Sequence, residues 1–232
     1  MKLEDLENLN PDFKFFTENM PEYIKNSFFT KKYSIGEQVT SKYEKLGYFG
    51  ILVTGQTRVI NEFENGNIYM LESNPAIDYI GEVTILANQE FTSVSIEAAK
   101  PSLIFFVPRK YAEKWIFEDL ALLKRLSAKV AYKLYRSSIE NGMKFFYPSD
   151  YIFIDYLIKK ASQNNVKERQ HVKIDDTRIT IAEEIGMNIK TLNRTISKLK
   201  NKDLFSINKG KIIISYKNFQ NALKQLEEGL SH

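Results

Sequence analysis

The feature that most constrains the fold is a change of hydrophobic period part-way along the chain. From about Tyr33 to Val107 apolar residues recur at every second position, and from Phe117 onward at every third or fourth. The first period belongs to pleated strands and the second to helices. Tyr48 to Val53, Thr57 to Phe63, Ile68 to Glu72, Ser93 to Ala98 and Ser102 to Val107 read as strands. Val94, Ile96 and Ala98 alternate with Ser93, Ser95 and Glu97, whereas Leu103, Phe105 and Val107 alternate with residues that are also apolar, the pattern of a strand covered on both faces. Ser34-Ile35-Gly36, Thr54-Gly55 and Asn65-Gly66 punctuate the runs, the last as a tight-hairpin pair. Closely spaced strands with glycine turns predict an antiparallel barrel or jelly roll. Before it, Phe13, Phe16 and Met20, then Tyr23, Ile24 and Phe28 beyond Pro21, read as helical packing for the sheet.

After a short helical connection from Pro108 to about Trp115, the spacing predicts a long helix over Phe117 to Asn141. Its roughly 24 residues span about 36 Å at 1.5 Å each. Leu120, Leu123, Ser127, Val130, Leu134 and Ser137 recur at alternating spacings of three and four, a seam suited to pairing with a second copy. The plainer alternative is that this seam packs on the chain's own barrel. Leu122 and Leu126 form an adjacent stripe that would serve that purpose. Asn141-Gly142 is expected to end the helix, with Lys144 to Pro148 as a hinge.

Beyond the hinge, Ile152, Phe153, Tyr156, Leu157 and Ala161 mark a core-facing helix, and Asn164 to Gln170 a polar loop. Thr180 to Lys200 reads as two helices joined at a tight turn. Thr180 and Glu183 form a capping box for the first, and Gly186 stops it. Asn188 caps the second. There Leu192, Ile196 and Leu199 make one buried stripe, and Lys190, Asn193, Arg194 and Ser197 fall on the other side. Such a helix fits a DNA major groove, although a solvated helix with ordinary surface charges has the same pattern. Two β-rich runs, Leu204 to Asn208 and Lys211 to Tyr216, flank Lys209-Gly210 as a hairpin, completing a winged helix-turn-helix. Phe219, Ala222, Leu223 and Leu226 mark a last amphipathic helix. Between His171 and Lys217 there are ten Lys and Arg against five Asp and Glu, a surplus of about five where the whole chain carries only +4. A localised cationic face is the footprint of phosphate contact.

Composition closes other routes. With no cysteine among 232 residues, disulfides, thiolate zinc sites and cysteine-ligated iron–sulfur clusters are excluded. The histidines are His171 and His232, so a barrel enzyme built on clustered histidines and carboxylates has no ligands to use. No signal peptide or membrane span is visible, which predicts a cytoplasmic protein. No cofactor, no metal and no catalytic residues are expected.

The layout resembles the Crp/Fnr family of bacterial transcription regulators. The marks are Ser34-Ile35-Gly36-Glu37, Leu52-Val53-Thr54-Gly55 followed by Val59, Ile80-Gly81-Glu82-Val83-Thr84-Ile85-Leu86, and Ile181 to Leu199. Leu123-Lys124-Arg125-Leu126 and Lys133-Leu134-Tyr135-Arg136 are most similar to the YeiL-like branch. The resemblance implies an α+β chain in three parts: an effector-sensing β-barrel over 1–116, a dimerisation helix and hinge over 117–147, and a winged helix-turn-helix over 148–232. It implies a homodimer on a near-palindromic double-stranded DNA site, RNA polymerase as a partner, and a small-molecule effector in the barrel. DNA contacts would come from Thr180, Asn188, Lys190, Thr191, Asn193, Arg194, Ser197, Lys198 and Lys209, and effector contacts from Gly81, Glu82, Thr92 and Ser93. The family's cyclic-nucleotide binders place an arginine where this chain has Thr92-Ser93, so cyclic AMP is not expected as the effector. The alternative is a ligand-binding module that acts through protein contacts and never touches DNA.

Overall fold

The computed structural model describes residues 1–229, without the side chains of 139–145, 228 and 229. It divides into two compact units, Met1–Ser137 and Ser138–His232.

The first unit opens with short helices α1 (Leu3–Leu9), α2 (Lys14–Thr17) and α3 (Glu22–Lys25), with a 3-10 turn over Pro11–Phe13. Six antiparallel strands follow: β1 (Phe29–Tyr33), β2 (Gln38–Thr40), β3 (Tyr48–Glu62), β4 (Ile68–Pro75), β5 (Asp78–Ile80) and β6 (Ser95–Pro108), with α4 (Glu82–Leu86) between the last two. The hydrogen-bonded path is β1-β6-β3-β4, with β2 also on β6 and β5 also on β3. The expected barrel is thus a sheet that does not close. Two long strands each serve several partners, and their paths bend through repeated register shifts at Leu52/Thr54, Thr54/Gln56 and Gln56/Thr57. Thr54-Gly55, expected as a turn, is such an irregularity inside a continuous β3, and two further runs merge into β6 in the same way. The Asn65-Gly66 hairpin is present with a longer loop, closed by Phe63 N–H donating to the Asn67 carbonyl at 3.0 Å.

Register explains the doubly apolar strand. Ile51 faces Phe105 and Leu52 faces Ile104. On one side Phe49, Ile51, Val53, Leu103, Phe105 and Val107 pack with Phe13, Phe16, Met20 and Ile24 of the opening segment. On the other, Leu52, Ile80, Ile104 and Phe106 form a separate cluster with Tyr33 and Ile96. Helix α5 (Arg109–Glu118) adds Trp115 and Ile116 to the first side. Asp119 then breaks the chain, its carboxylate accepting from the N–H groups of Ala121 and Leu122. The long helix α6 therefore starts at Leu120 and runs to Phe146, through Asn141-Gly142. Its 27 residues give about 40 Å. Of the Lys144 to Pro148 stretch only Tyr147-Pro148 lies outside a helix, because four-residue backbone bonding outweighs the local preference of one asparagine and one glycine.

The second unit holds α7 (Ser149–Gln163), α8 (Val166–Arg169), β7 (His171–Ile174), α9 (Arg178–Ile185), α10 (Ile189–Leu199), β8 (Ser206–Asn208), β9 (Lys211–Ser215) and α11 (Tyr216–Gly229). Strands order as β7-β9-β8. The expected polar loop contains α8, and β7 follows it with Val172 and Ile174 buried. Lys209 and Gly210 both have positive φ, 47° and 79°, the geometry of a tight hairpin turn. Phe153, Leu157, Ile181, Leu192, Leu199 and Ile214 form the centre of one core.

Candidate nucleic-acid interface

Helix α9 starts three residues earlier than its sequence suggests. Thr177, not Thr180, is its N-cap, and its hydroxyl accepts from Thr180 N–H at 3.1 Å. Thr180 lies inside the first turn, with its hydroxyl 2.9 Å from that of Thr177. Gly186 closes the helix at φ 68°. Asn188 then caps α10 as expected, its side-chain oxygen accepting from Thr191 N–H at 2.8 Å.

Helix α10 buries Leu192, Thr195, Ile196 and Leu199 and exposes Lys190, Asn193, Arg194, Ser197 and Lys198, while Thr191 is half-buried. The apolar stripe leaves little freedom to rotate the helix about its axis, so the polar set is held outward. Lys209 sits at the exposed tip of the β8–β9 hairpin. Not every base of this unit is available. Lys198 Nζ lies 2.6 Å from Asp150, Lys173 pairs with Asp175 at 2.5 Å, and Lys211 donates to the Asp175 carbonyl. Lys190, Arg194, Lys200, Lys202 and Lys209 are exposed and have no ion-pair partner among the described residues. Lys200 and Lys202 directly follow α10 and add two exposed cations at its end.

A polar network anchors α9 from behind. Lys160 of α7 reaches Asp176 at 3.0 Å and Glu184 at 2.9 Å, and the Tyr156 hydroxyl donates to Asp176 at 3.2 Å. Burial alone would lower the Lys160 ammonium, but the two carboxylates reverse that and hold it above its ordinary range. Burial likewise pushes the Tyr156 hydroxyl up, with Glu184 and Asp176 adding to the shift.

On α6 the predicted seam is outward over much of its length. Leu120 and Leu134 are 78% and 68% exposed, Ser127 is exposed, and Val130 and Ser137 are half-buried. Leu123 differs, since it packs partly against the sheet core. Leu122 and Leu126 are buried there, so α6 carries both stripes read from the sequence.

The four predicted effector contacts have different surroundings. Gly81 caps α4 at φ 87°, where a Cβ would lie 2.9 Å from a Leu46 methyl, so geometry alone demands glycine. Glu82 is buried and accepts from Lys133 of α6 at 2.9 Å. The Thr92 hydroxyl donates to the Ser41 carbonyl at 2.5 Å, and Ser93 is exposed. A pocket of about 290 Å³ in this unit is lined by Phe29, Tyr33, Tyr48, Phe106 and Thr92 among others, but not by Gly81, Glu82 or Ser93. Among the described residues, no His, Asp or Glu group could hold a metal and no helix is long and apolar enough to cross a membrane.

No protein-family model matches the sequence, and no curated protein does. Solved structures do. A Crp/Fnr-family transcriptional regulator from Eubacterium rectale aligns with a TM-score of 0.75 at 16% identity, over 94% of this chain and 100% of that one. The c-di-GMP-responsive global regulator CLP of Xanthomonas campestris gives 0.70 at 12% identity, over 84% and 97%. A CRP/FNR-family transcriptional regulator of Thermus thermophilus gives 0.64 at 16% identity, over 86% and 98%. The chain therefore has the fold of the CRP/FNR transcription regulators, a mixed helix-and-sheet architecture with a winged helix-turn-helix.

Proposed function

We propose that the chain is a transcription regulator of the Crp/Fnr family that binds DNA as a homodimer. The observation that carries this is α10. Its buried stripe fixes the helix, and Lys190, Asn193, Arg194 and Ser197 stand together on the opposite, solvent-facing side. Arg194 would read a base edge, because its fork matches guanine O6 and N7. Lys190 would favour guanine or a phosphate, and Lys209 on the wing, with Asn188, Thr191 and Thr180, would meet the backbone; Lys198 would join them by giving up Asp150. Two copies paired along the α6 seam would place two such helices about 34 Å apart on a near-palindromic site. On this reading the three-part division into sensing sheet, pairing helix and DNA-binding unit holds, with the break at Tyr147-Pro148 serving as the joint. The reading extends to RNA polymerase as a partner and to a small-molecule effector other than cyclic AMP.

Selection of bound sequences from a random DNA pool tests the proposal. A near-palindromic consensus with half-sites one helical turn apart is expected, together with affinity that falls steeply with salt. Recovery of no consensus, with no salt-sensitive binding, would favour a module that works through protein contacts alone.

A further inference from the structure

Three basic residues of α6, Lys129, Lys133 and Arg136, stand four and three positions apart and so share one face of the helix. Opposite them, in the same unit, lie three carboxylates from three different elements: Glu72 of β4, Asp78 of β5 and Glu82 of α4. Lys133 is the centre. Its Nζ is 2.9 Å from Glu82, 3.4 Å from Asp78 and 3.6 Å from Glu72. Lys129 reaches Asp78 at 3.1 Å, and Arg136 reaches Glu72 at 3.0 Å. Asp78 and Glu82 are almost wholly buried. Apolar contacts from Leu122 and Leu126 hold the start of α6 on the sheet, and beyond Leu126 this charge cluster takes over.

We propose that Lys133 is a built-in occupant of this acidic recess. Its ammonium holds the middle of α6 against β4, β5 and α4, and the recess in consequence rejects anionic nucleotides. An incoming phosphate would face Glu72, Asp78 and Glu82, and the one cation placed among all three is already shared by them. Without that cation Asp78 keeps Lys129 and Glu72 keeps Arg136, but the buried Glu82 has no other ion-pair partner among the described residues, so the helix loses the contact that joins it to α4. The regulator's helix position is thus set from within the chain, and the orientation of the seam beside it on α6 is fixed by the same contact. The last consequence rests on the regulator reading; the fastening does not.

Hydrogen exchange on the full-length protein tests the fastening directly. In Lys133→Met, amides of residues 129–138 should lose protection by about tenfold or more relative to the rest of the sheet unit. Lys133→Arg should keep it within about threefold. The double variant Lys133→Met with Glu82→Gln removes the stranded carboxylate as well and should recover most of the protection, which keeps the test decisive if the single variant folds poorly. Titration with cyclic AMP and cyclic GMP to about 1 mM should show no binding to the wild type. Unchanged exchange in Lys133→Met overturns the fastening, as does a double variant no better than the single one. Saturable cyclic-nucleotide binding overturns the exclusion. If no variant, wild type included, binds DNA, the regulator reading fails, while the exchange result still decides the role of Lys133.

Discussion

Leu192 and Arg194 lie two positions apart on α10, and replacing each by alanine should give opposite phenotypes. Leu192 is fully buried in the core of the second unit beside Ile196 and Leu199. Truncating a leucine in such a place costs about 2–5 kcal/mol, because the cavity closes only partly. For a unit of this size 1 kcal/mol moves the melting temperature by about 4–8 °C, so a drop on the order of 15 °C is expected. Arg194 is exposed and has no ion-pair partner among the described residues. Its removal should leave stability within about 0.5 kcal/mol. If its guanidinium reads a base, half-site affinity should instead fall by about 1–3 kcal/mol, or roughly 5- to 150-fold, with relaxed preference at one position. Scanning calorimetry and fluorescence polarisation on the selected site measure the two effects. An Arg194→Ala protein with unchanged affinity and unchanged preference would refute the assignment of α10 as the reading helix. Equal loss on every sequence would move Arg194 from base to phosphate.

Asn188→Ala removes the acceptor for Thr191 N–H at the start of α10 and should cost about 1 kcal/mol in thermal or urea unfolding. Ser127→Arg places a long cation at the centre of the exposed seam; the single chain should keep its melting temperature, while sedimentation should shift to the monomer. Gly55→Ala should be severe. At φ +97° a Cβ would lie 2.4 Å from the Pro101 carbonyl and from Ser102 Oγ, so a loss on the order of 3 kcal/mol or more is expected in unfolding experiments. The Lys133 ammonium gives a pH signature. Burial lowers it, and Glu82, Asp78 and Glu72 more than reverse this, leaving it raised. A raised base contributes stability that is full below its unfolded value near 10.4 and lost as pH climbs through the folded one. The melting-temperature gap between wild type and Lys133→Met should therefore be flat from about pH 7 to 9 and narrow above about pH 11.

Much of the architecture was legible because burial leaves a period in the sequence. The doubly apolar run of Leu103 to Val107 announced a strand with a core on each side, and the two stripes of α6 announced one buried and one outward face. What misled were residues whose local preference differs from their tertiary use. Thr54-Gly55 has the composition of a turn, yet the close approach of Pro101 and Ser102 needs a glycine within a continuous strand. Asn141-Gly142 has the composition of a helix stop, yet the helix continues. Strands β1, β2, β5 and β7 escape the sequence reading because each is short, and β1 follows directly on the aromatic residues of a helical segment.

The local relations within α9 and α10 were legible in the sequence where those around Glu82 were not, and the reason is the range of the contacts involved. Asn188 capping Thr191, and Leu192, Ile196 and Leu199 on one stripe, are relations over three or four residues, which sequence spacing records directly. Even the misplaced cap at Thr180 was wrong by only one helical turn. The Lys133 cluster is the contrary case. Lys133 and Glu82 are 51 positions apart and Lys133 and Asp78 are 55, and no spacing rule connects them. The internal partner of Glu82 is therefore invisible in the sequence, where the residue after Gly81 shows only as a candidate ligand contact. If the recess excludes anionic nucleotides as proposed, the absence of an arginine at Thr92-Ser93 and the Lys133 cluster act the same way: one withdraws a cation from a would-be phosphate site, and the other commits Lys133 to three acids.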